Sequence, residues 1–379
     1  MIAASVMDYR AGAKERLPAM FFNYLDGGSY QEITLKRNVA DFAEIALKQR
    51  VMKDVSKVEM GVKLFGQSYS MPVGLGPVGF SGMYRRRGEV QAARAAHAAK
   101  VPVALSTLSI CSVEEVTQKS GAPIWYQFYM LKDRGFMSAL LERVAEQKCP
   151  VLLFTVDLAV LGARYRDVHS GMSGPPGLRT EISRAWQGVT HPAWLWDVYL
   201  TGRPHAFGNI AGAVREGKGF GAFSKWVQEN NDASITWKDL EWLRARFKGP
   251  IVIKGVLDPD DAKEAVALGA DGVVVSNHGG RQLDGALSGI KALPAVADAI
   301  GGRIPVLMDG GVRSGLDVLR ALALGAQACL LGRAWAYALA ADGGRGVRSA
   351  LEIIRRELHT ALALTGCTDV KQAGRDLLA

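Results

Sequence analysis

Short apolar runs alternate with amphipathic stretches along most of this 379-residue chain. The runs are rich in Val, Ile and Leu and carry almost no polar residue, which is typical of strands buried on both faces. Eight strands are predicted, at residues 72–75, 103–105, 124–127, 151–156, 251–254, 272–275, 305–308 and 328–331. Helical periodicity lies between them, for example at residues 88–99, 136–147, 258–268 and 316–324.

Eight strands that alternate with helices favour a parallel barrel ringed by helices. The predicted fold is therefore an α/β protein, a (β/α)8 TIM barrel with an N-terminal helical extension over residues 1–60. An open doubly wound sheet is the alternative, but no G-x-G-x-x-G motif follows the first strand. We expect residues 1–379 to form a single domain.

An insert interrupts the alternation after the fourth strand, where residues 157–250 are too many for an ordinary crossover. We assign the insert to residues 176–230. Aromatic and basic side chains are concentrated there: Trp186, Trp194, Trp196, Tyr199, Phe207, Phe220, Phe223 and Trp226, with Arg179, Arg184, Arg203, Arg215, Lys218 and Lys225. This mixture is typical of a segment at a membrane interface, and none of it is long enough to span a bilayer. A lid over the barrel or an oligomer contact is the alternative.

If the insert only contacts a membrane, deletion of residues 180–225 should leave activity with an artificial dye intact. The net charge of +9 favours an anionic ligand or surface, but the longest basic run is Arg85–Arg87, so nucleic acid is not expected. The four cysteines are scattered without metal-ligand spacing, which predicts no metal site and a reducing compartment. The N-terminus has no signal-peptide pattern, and no apolar window of about 18 residues predicts a transmembrane helix.

Polar residues follow nearly every predicted strand, at the edge where barrels carry their chemistry. They are Ser106, Gln127, Tyr129, Thr155, Asp157, Arg164, Lys254, His278, Arg281, Asp309, Arg313 and Arg333. Each alone has an ordinary structural explanation, but a ring of them around one barrel mouth predicts a functional site.

The segment Ser276–Gly285 combines a base with an anion clamp. Its glycines let the backbone approach a ligand closely. His278 titrates near neutral pH, and Arg281 offers a planar fork suited to a carboxylate or phosphate. The combination indicates a small acidic substrate that loses a proton.

The turns after the last two strands contain Gly310-Gly311 and Gly332-Arg333. Barrels of this type bind phosphate at these two loops. A phosphate there, amide-bonding side chains at Ser106, Gln127 and Thr155, and a cation at Lys254 together describe a site for flavin mononucleotide (FMN).

Seven motifs give the chain a close resemblance to the FMN-dependent 2-hydroxy-acid dehydrogenase and oxidase family. They are Ser276–Asp284, Tyr24–Gly28, Pro77–Gly79, Thr155–Asp157, Gly162–Arg164, Ile253–Gly255 and Asp309–Arg313. The resemblance runs through nearly the whole chain. It implies that His278 is the base, that Asp157 supports its protonated form, and that Arg164 and Arg281 hold the substrate carboxylate. Tyr24 and Tyr129 are implied to contact substrate.

The resemblance also implies an FMN site. Its residues would be Pro77, Val78, Gly79, Ser106, Gln127, Thr155, Lys254, Ser276, Asp309, Gly310, Gly311, Arg313, Gly332 and Arg333. Two positions depart from the family pattern. Ala159 stands where the family usually has proline, and Gly79 stands where some relatives carry alanine, which predicts more space above the flavin.

The activity implied is oxidation of an L-2-hydroxy acid, foremost lactate to pyruvate, with electrons passed to a quinone or another acceptor. The resemblance further implies a homo-oligomer, a tetramer, bound peripherally to the cytoplasmic side of the inner membrane. An oxidase that uses dioxygen and a dehydrogenase of a bulkier acid such as mandelate remain open, as does hydride versus carbanion transfer. A nucleotide barrel of the inosinate dehydrogenase kind would want a cysteine on the strand-six loop, which has none, and a non-catalytic flavin module would not need the complete acid–base set.

Overall fold

The computed structural model of the chain describes residues 2–173, 177–212, 226–227 and 229–379. Three helices precede the barrel: α1 (Val6–Arg16), α2 (Ala19–Asp26) and α3 (Ile33–Ala43). A two-stranded antiparallel hairpin follows, β1 (Val62–Leu64) and β2 (Gln67–Tyr69). The predicted N-terminal extension is thus helical over about half of its length, and no helix follows Ala43 before the hairpin.

Eight parallel strands form the barrel, and the predicted fold is confirmed. They are β3 (Val73–Leu75), β4 (Ala104–Ser106), β5 (Trp125–Phe128), β6 (Leu152–Thr155), β7 (Ile251–Val256), β8 (Gly272–Val275), β9 (Val306–Asp309) and β10 (Ala328–Leu331). Each strand pairs with the next in chain order, β10 pairs with β3, and a parallel bridge from Leu75 to Val103 closes the ring.

Helices surround the barrel. They are α4 (Ser81–Tyr84), α5 (Gly88–Ala98), α6 (Val113–Ser120), α7 (Arg134–Glu146), α8 (Tyr165–His169), α9 (Leu178–Val189), α10 (Pro192–Trp194), α11 (Lys238–Arg246), α12 (Pro259–Ala267), α13 (Gly289–Ile300), α14 (Gly315–Ala323) and α15 (Arg333–Leu364). Helix α10 continues into a π-helical turn, Leu195–Leu200. None of the described helices is long and apolar enough to cross a bilayer.

Alternation along the strands divides the apolar residues between two layers. Leu153, Val252 and Val274 belong to a small cluster inside the barrel, whereas their neighbours in sequence join the larger core beneath the helices. The hairpin closes the amino end of the barrel, where Trp125 Nε1 donates to the Tyr69 hydroxyl at 3.1 Å. The functional residues are consequently left to the opposite, carboxyl end.

The insert is not a separate appendage, and two of its aromatic residues are not interfacial as predicted. Trp194 is buried against Phe21 and donates through Nε1 to the Met83 carbonyl at 2.8 Å. Phe207 is buried with its ring edge-on to Phe80, at a centroid distance of 4.8 Å. Both therefore belong to the core rather than to an exposed surface. Predicted residues Arg215, Lys218, Phe220, Phe223 and Lys225 lie outside the described residues.

Deletion of residues 180–225 would remove part of the barrel's packing as well as the exposed aromatic side chains, so survival of dye activity after that deletion stays a prediction. Asn209, on the return from the insert, is fully buried. Its Oδ1 accepts the amide of Val113 at 2.8 Å, and its Nδ2 donates to the Ser106 carbonyl at 3.1 Å. Because an unpaired buried polar group costs about 1–3 kcal/mol, loss of this side chain would destabilise the loop after β4.

Candidate active site

A cavity of about 780 Å³ opens at the carboxyl ends of the barrel strands. It is lined by seventeen of the twenty predicted site residues: Tyr24, Pro77, Val78, Gly79, Ser106, Tyr129, Thr155, Arg164, Lys254, His278, Arg281, Asp309, Gly310, Gly311, Arg313, Gly332 and Arg333. The other three, Gln127, Asp157 and Ser276, are each hydrogen-bonded to a lining residue. The structure therefore brings all twenty together.

His278 stands at the centre of the site on a strained loop after β8. Its backbone is left-handed, with φ of 58°, and its amide donates to Ser276 Oγ at 3.1 Å. Nδ1 lies 2.8 Å from Asp157 Oδ1, and Nε2 lies 3.3 Å from the Tyr129 hydroxyl. The two ring nitrogens therefore have different partners, a carboxylate behind and a hydroxyl at the cavity wall.

The electrostatics of this pair favour a neutral imidazole beside an ionised carboxylate. Burial lowers the pKa of His278 below its ordinary value, and Asp157 only partly opposes the shift. Burial alone would raise the pKa of Asp157, but the adjacent His278 and Lys254 outweigh it and hold that pKa low. With the Nδ1 proton donated to Asp157, the Nε2 lone pair is available as a base.

Two arginines and a tyrosine form a candidate carboxylate site. The Arg281 guanidinium carbon lies 4.5 Å from the centre of the Tyr24 ring, and that of Arg164 lies 5.9 Å from it. Arg164 Nε and Arg281 Nη2 are buried without a hydrogen-bond partner in the described part of the chain. Buried donors of this kind are normally satisfied, so they fit a site that binds an anion.

Lys254 is a buried cation at the base of the cavity. Its Nζ lies 2.9 Å from Asp309 Oδ2 and donates to Ser276 Oγ at 2.9 Å. Burial would lower the pKa of Lys254, but Asp309 and Asp157 outweigh it and raise that pKa. The ammonium group is thus charged at neutral pH and available to a developing negative charge.

The donors and glycines of the cavity fit FMN. Ser106 Oγ donates to Gln127 Oε1 at 3.0 Å, which fixes the orientation of the Gln127 amide. Gln127 Nε2 and Thr155 Oγ1 are buried and have no partner among the described residues, as expected of side chains that bond a flavin ring. At the other end Gly310 and Gly311 line the cavity with φ of 86° and 87°, a glycine turn of the kind that binds phosphate through backbone amides.

Arg333 also forms main-chain hydrogen bonds that its sequence position did not indicate. Its guanidinium donates to three main-chain carbonyls, those of Leu25 at 3.0 Å, Gly27 at 2.6 Å and Gly279 at 2.8 Å. Burial and the nearby Arg281 and Arg313 lower the pKa of Arg333 to about 10, although Tyr337 opposes the shift. Arg333 therefore joins the end of α2 to the His278 loop.

The cavity carries an excess of positive charge. Five cationic side chains line it, Arg164, Lys254, Arg281, Arg313 and Arg333, against the carboxylates of Asp167 and Asp309. Uncompensated buried charge is costly, and an anionic cofactor and an anionic substrate would both reduce the imbalance.

Sequence reasoning assigned no role to four carboxamide residues that support the site. Asn38 and Asn277 contact each other behind the His278 loop, Asn209 bonds the loop after β4, and Gln282 bonds the loop after β6. Gln282 Nε2 donates to the carbonyls of Asp157 at 2.9 Å and Val160 at 2.7 Å. Asn277 and Gln282 lie within the glycine-rich segment Ser276–Gly285, and that position could have identified them. No sequence pattern marks Asn38 or Asn209.

A parallel barrel with this base, anion clamp and flavin-sized donor set defines a barrel oxidoreductase of the flavin-dependent class. The family model for FMN-dependent dehydrogenases matches residues 13–379, and the chain belongs to that family. FMN is therefore its cofactor.

Relatives and solved structures agree with this assignment. An L-lactate dehydrogenase of Caulobacter sp. (strain K31) is 56% identical, covering 100% of this chain and 99% of the relative. One of Alcaligenes faecalis is 54% identical, covering 100% and 99%. The structure of a monotopic membrane protein, (S)-mandelate dehydrogenase, is 34% identical with a TM-score of 0.93 and covers 100% of both chains. A mandelate oxidase structure is 35% identical with a TM-score of 0.84, covering 98% of this chain and 97% of that one.

Proposed function

We propose that the protein oxidises L-lactate to pyruvate with FMN and passes the electrons to a quinone. The observation that carries the proposal is the arrangement of His278, bonded to Asp157, in the same cavity as the unpaired donors of Arg164 and Arg281. This arrangement suits a 2-hydroxy acid, in which the carboxylate is attached to the carbon that bears the hydroxyl group. The identity of 56% and 54% to two L-lactate dehydrogenases supports lactate as the substrate.

In the proposed reaction Arg164 and Arg281 bind the carboxylate, and Tyr24 and Tyr129 contact the substrate. His278 Nε2 accepts one proton, and Asp157 stabilises the imidazolium that results. Tyr129 remains a hydroxyl donor because burial raises its pKa above the ordinary value. Lys254 stabilises negative charge at the flavin site. FMN, when bound, supplies the oxidising power: it takes up the two electrons removed from the hydroxyl carbon and, directly or through solvent, the second proton.

Anaerobic mixing with L-lactate tests the proposal. We expect the purified protein to contain FMN, and its absorbance to bleach on addition of L-lactate but not of D-lactate. The same experiment with (S)-mandelate tests the second candidate, which the mandelate enzymes among similar structures favour. Bleaching by mandelate but not by lactate would reject lactate as the substrate.

The electron acceptor needs its own measurement. Reduced enzyme should be reoxidised rapidly by a short-chain quinone and slowly by dioxygen. Stoichiometric peroxide formation at a rate equal to turnover would instead identify an oxidase. A homo-oligomer, specifically a tetramer, remains a prediction that light scattering of the purified holoenzyme would check.

Exposed apolar side chains of the insert support the proposal that the protein binds peripherally to the inner face of the membrane. Leu178, Ile182, Trp186 and Val189 follow one another at helical spacing along α9, and each is between 59% and 79% exposed. Trp196 in the following π-helical turn is also exposed. We define these five side chains as the insert's apolar face. Large apolar side chains on one face of a short helix suit the boundary of a bilayer.

The opposite side of the same segment is fixed to the barrel. Gln187 Oε1 accepts the amide of Met20 at 2.8 Å, and Asp197 forms ion pairs with Arg16 and Arg85, both at 3.2 Å. The apolar face is therefore held outward on a rigid support. An enzyme bound in this way would meet a lipid-soluble quinone at the membrane surface.

A further inference from the structure

The loop after β6 carries two proposed active-site residues, and residues 157–162 form no hydrogen bond with another main-chain group in the described part of the chain. Asp157 begins the loop, Arg164 ends it, and the exposed Ala159 lies between them. A proline at position 159 would restrict the backbone there. Ala159 supplies no such restriction, so the loop needs another restraint to keep Asp157 and Arg164 in register.

The side chain of Asn231 supplies part of that restraint. Asn231 Nδ2 donates to the Leu158 carbonyl at 2.6 Å and to the Ala159 carbonyl at 2.7 Å. In the described part of the chain these two carbonyls accept no other hydrogen bond. Gln282 bonds the carbonyls on either side, at Asp157 and Val160, so the two carboxamides together hold four consecutive residues.

Asn231 is itself held firmly. Its amide donates to the Val227 carbonyl at 2.9 Å, and it forms an antiparallel bridge with Leu131. The next amide, that of Asp232, donates to the Met130 carbonyl at 3.2 Å, and the Asp232 carboxylate pairs with Arg134 at 2.5 Å. Asn231 thus connects the loop after β5, which carries Tyr129, to the loop after β6.

We propose that Asn231 is a positioning residue for the reaction, acting through the Leu158–Ala159 backbone on Asp157 and Arg164. It takes the place of the restraint that a proline at position 159 would provide. The proposal rests on the roles of Asp157 and Arg164 in the proposed function. It identifies the segment directly after the insert as part of the support of the active site.

The test is the holoenzyme with Asn231→Ala, compared with Asn230→Ala as the matched control. Asn230 is the preceding residue, and among the described residues its Nδ2 donates to the Trp226 carbonyl and to no carbonyl of the loop after β6. A misplacement on the order of 1 Å at a catalytic group costs about a hundredfold, so we expect Asn231→Ala to lower kcat/KM for L-lactate by about ten- to a hundredfold. Oxalate should bind more weakly, since Arg164 is displaced. Asn230→Ala should match the parent in both measurements.

Restoration by proline separates positioning from simple loss of packing. The Ala159 amide donates no hydrogen bond in the described part of the chain, and its φ is not positive, so proline there removes no backbone hydrogen bond. Ala159→Pro combined with Asn231→Ala should regain most of the lost kcat/KM and the oxalate affinity. If Ala159→Pro alone is impaired, Asn231→Ala by itself decides whether Asn231 positions the loop. Weaker oxalate binding and an altered acid limb of its pH profile support the proposal, and parent-like values of both overturn it.

Full activity and oxalate affinity in Asn231→Ala would overturn the proposal, as would an equal loss in Asn230→Ala. Failure of the double variant to recover, when Ala159→Pro alone is active, would also overturn it. A parent enzyme that is not reduced by L-lactate would instead reject the proposed function. Oxalate binding to the parent and to Asn231→Ala would still report on the loop in that case.

Discussion

The carboxamides of Asn38 and Asn277 donate to each other, Asn38 Nδ2 to Asn277 Oδ1 at 2.9 Å and Asn277 Nδ2 to Asn38 Oδ1 at 2.8 Å. Both side chains are buried. Asn277 immediately precedes His278, and its Oδ1 also accepts the Gly280 amide at 3.0 Å. Helix α3, whose Asn38 is 239 residues away from Asn277 in sequence, therefore fixes the backbone that presents the proposed base.

Replacement of Asn38 by alanine should weaken both stability and turnover. The change leaves polar atoms of Asn277 short of a partner in a buried site, at a cost of about 1–3 kcal/mol. We expect a lower melting temperature and slower anaerobic flavin reduction by L-lactate. Arg37→Ala is the matched control, because Arg37 is exposed on the same helix. Parent-like melting and reduction in Asn38→Ala would show that the pair does not support His278.

The pH dependence should report the His278–Asp157 pair. Because the pKa of His278 is lowered, its base form predominates at neutral pH. The rate of flavin reduction should therefore rise with pH through a value below the ordinary histidine pKa and then level off. Asp157→Asn removes a charge that raises the pKa of His278, so the acid limb should move to lower pH while the maximal rate falls. An acid limb displaced to higher pH would contradict the assignment.

His278→Gln should keep FMN bound and lose most flavin reduction. General base catalysis contributes about 10²–10⁴-fold, so a loss smaller than about tenfold would remove His278 from the role. The absorbance spectrum of the purified variant provides the control for FMN content. Retention of the cofactor is expected because the side chain's hydrogen bonds are to Asp157 and Tyr129.

Arg281→Lys should weaken substrate binding and turnover together. The Arg281 guanidinium donates through Nη1 to the carbonyls of Tyr24 at 2.5 Å and Gly27 at 3.0 Å, and Nη2 remains for the substrate. A lysine ammonium cannot hold two carbonyls and a carboxylate in one plane. Titration with oxalate, followed by flavin absorbance, is the measurement. Oxalate affinity equal to that of the parent would place the carboxylate elsewhere.

The features of the fold and the site that the sequence predicts are those formed by residues close together in sequence. Local patterns predict the strands, the polar residues at their carboxyl ends and the His278 segment, because apolar runs and glycine turns act within a few residues. The partners of Asn38, Asn209 and Asn231 lie far away in sequence, and an asparagine in a loop resembles any solvated polar residue. The buried positions of Trp194 and Phe207 were missed for the same reason: composition indicates an aromatic segment but not which face meets the barrel.

Gly79→Ala should narrow the range of substrates. A Cβ at this position would lie 3.3 Å from the Leu108 carbonyl oxygen and 3.8 Å from the Tyr24 hydroxyl, so it enters the cavity beside a proposed substrate contact. The contact with the Leu108 carbonyl oxygen requires a small shift of the neighbouring atoms. The contact with the Tyr24 hydroxyl is an ordinary one and only reduces the free volume of the cavity. We expect the ratio of kcat/KM for a longer 2-hydroxy acid to that for lactate to fall. An unchanged ratio would show that this wall does not meet the substrate chain.

The insert's apolar face should determine membrane binding independently of catalysis. A deletion cannot test this, because Phe207 and Asn209 of the same insert support the barrel. Point changes at the exposed positions Trp186 and Trp196 avoid the problem, since neither side chain is buried. We expect Trp186→Ser combined with Trp196→Ser to reduce the fraction that sediments with vesicles of phosphatidylethanolamine and phosphatidylglycerol. Each buried large apolar side chain contributes about 1.5–3 kcal/mol, so loss of two predicts at least a tenfold weaker partition.

The control for this prediction is Leu364→Ser, which changes an exposed apolar residue at the end of α15, 57% accessible and outside the insert. It should bind vesicles as the parent does. All three proteins should reduce a soluble dye equally with L-lactate, because none of the changed side chains lines the cavity. Turnover with a long-chain quinone in vesicles should fall only in the tryptophan variant, since its flavin chemistry is intact but its access to the bilayer is reduced. Unaltered sedimentation of that variant would show that another surface binds the membrane.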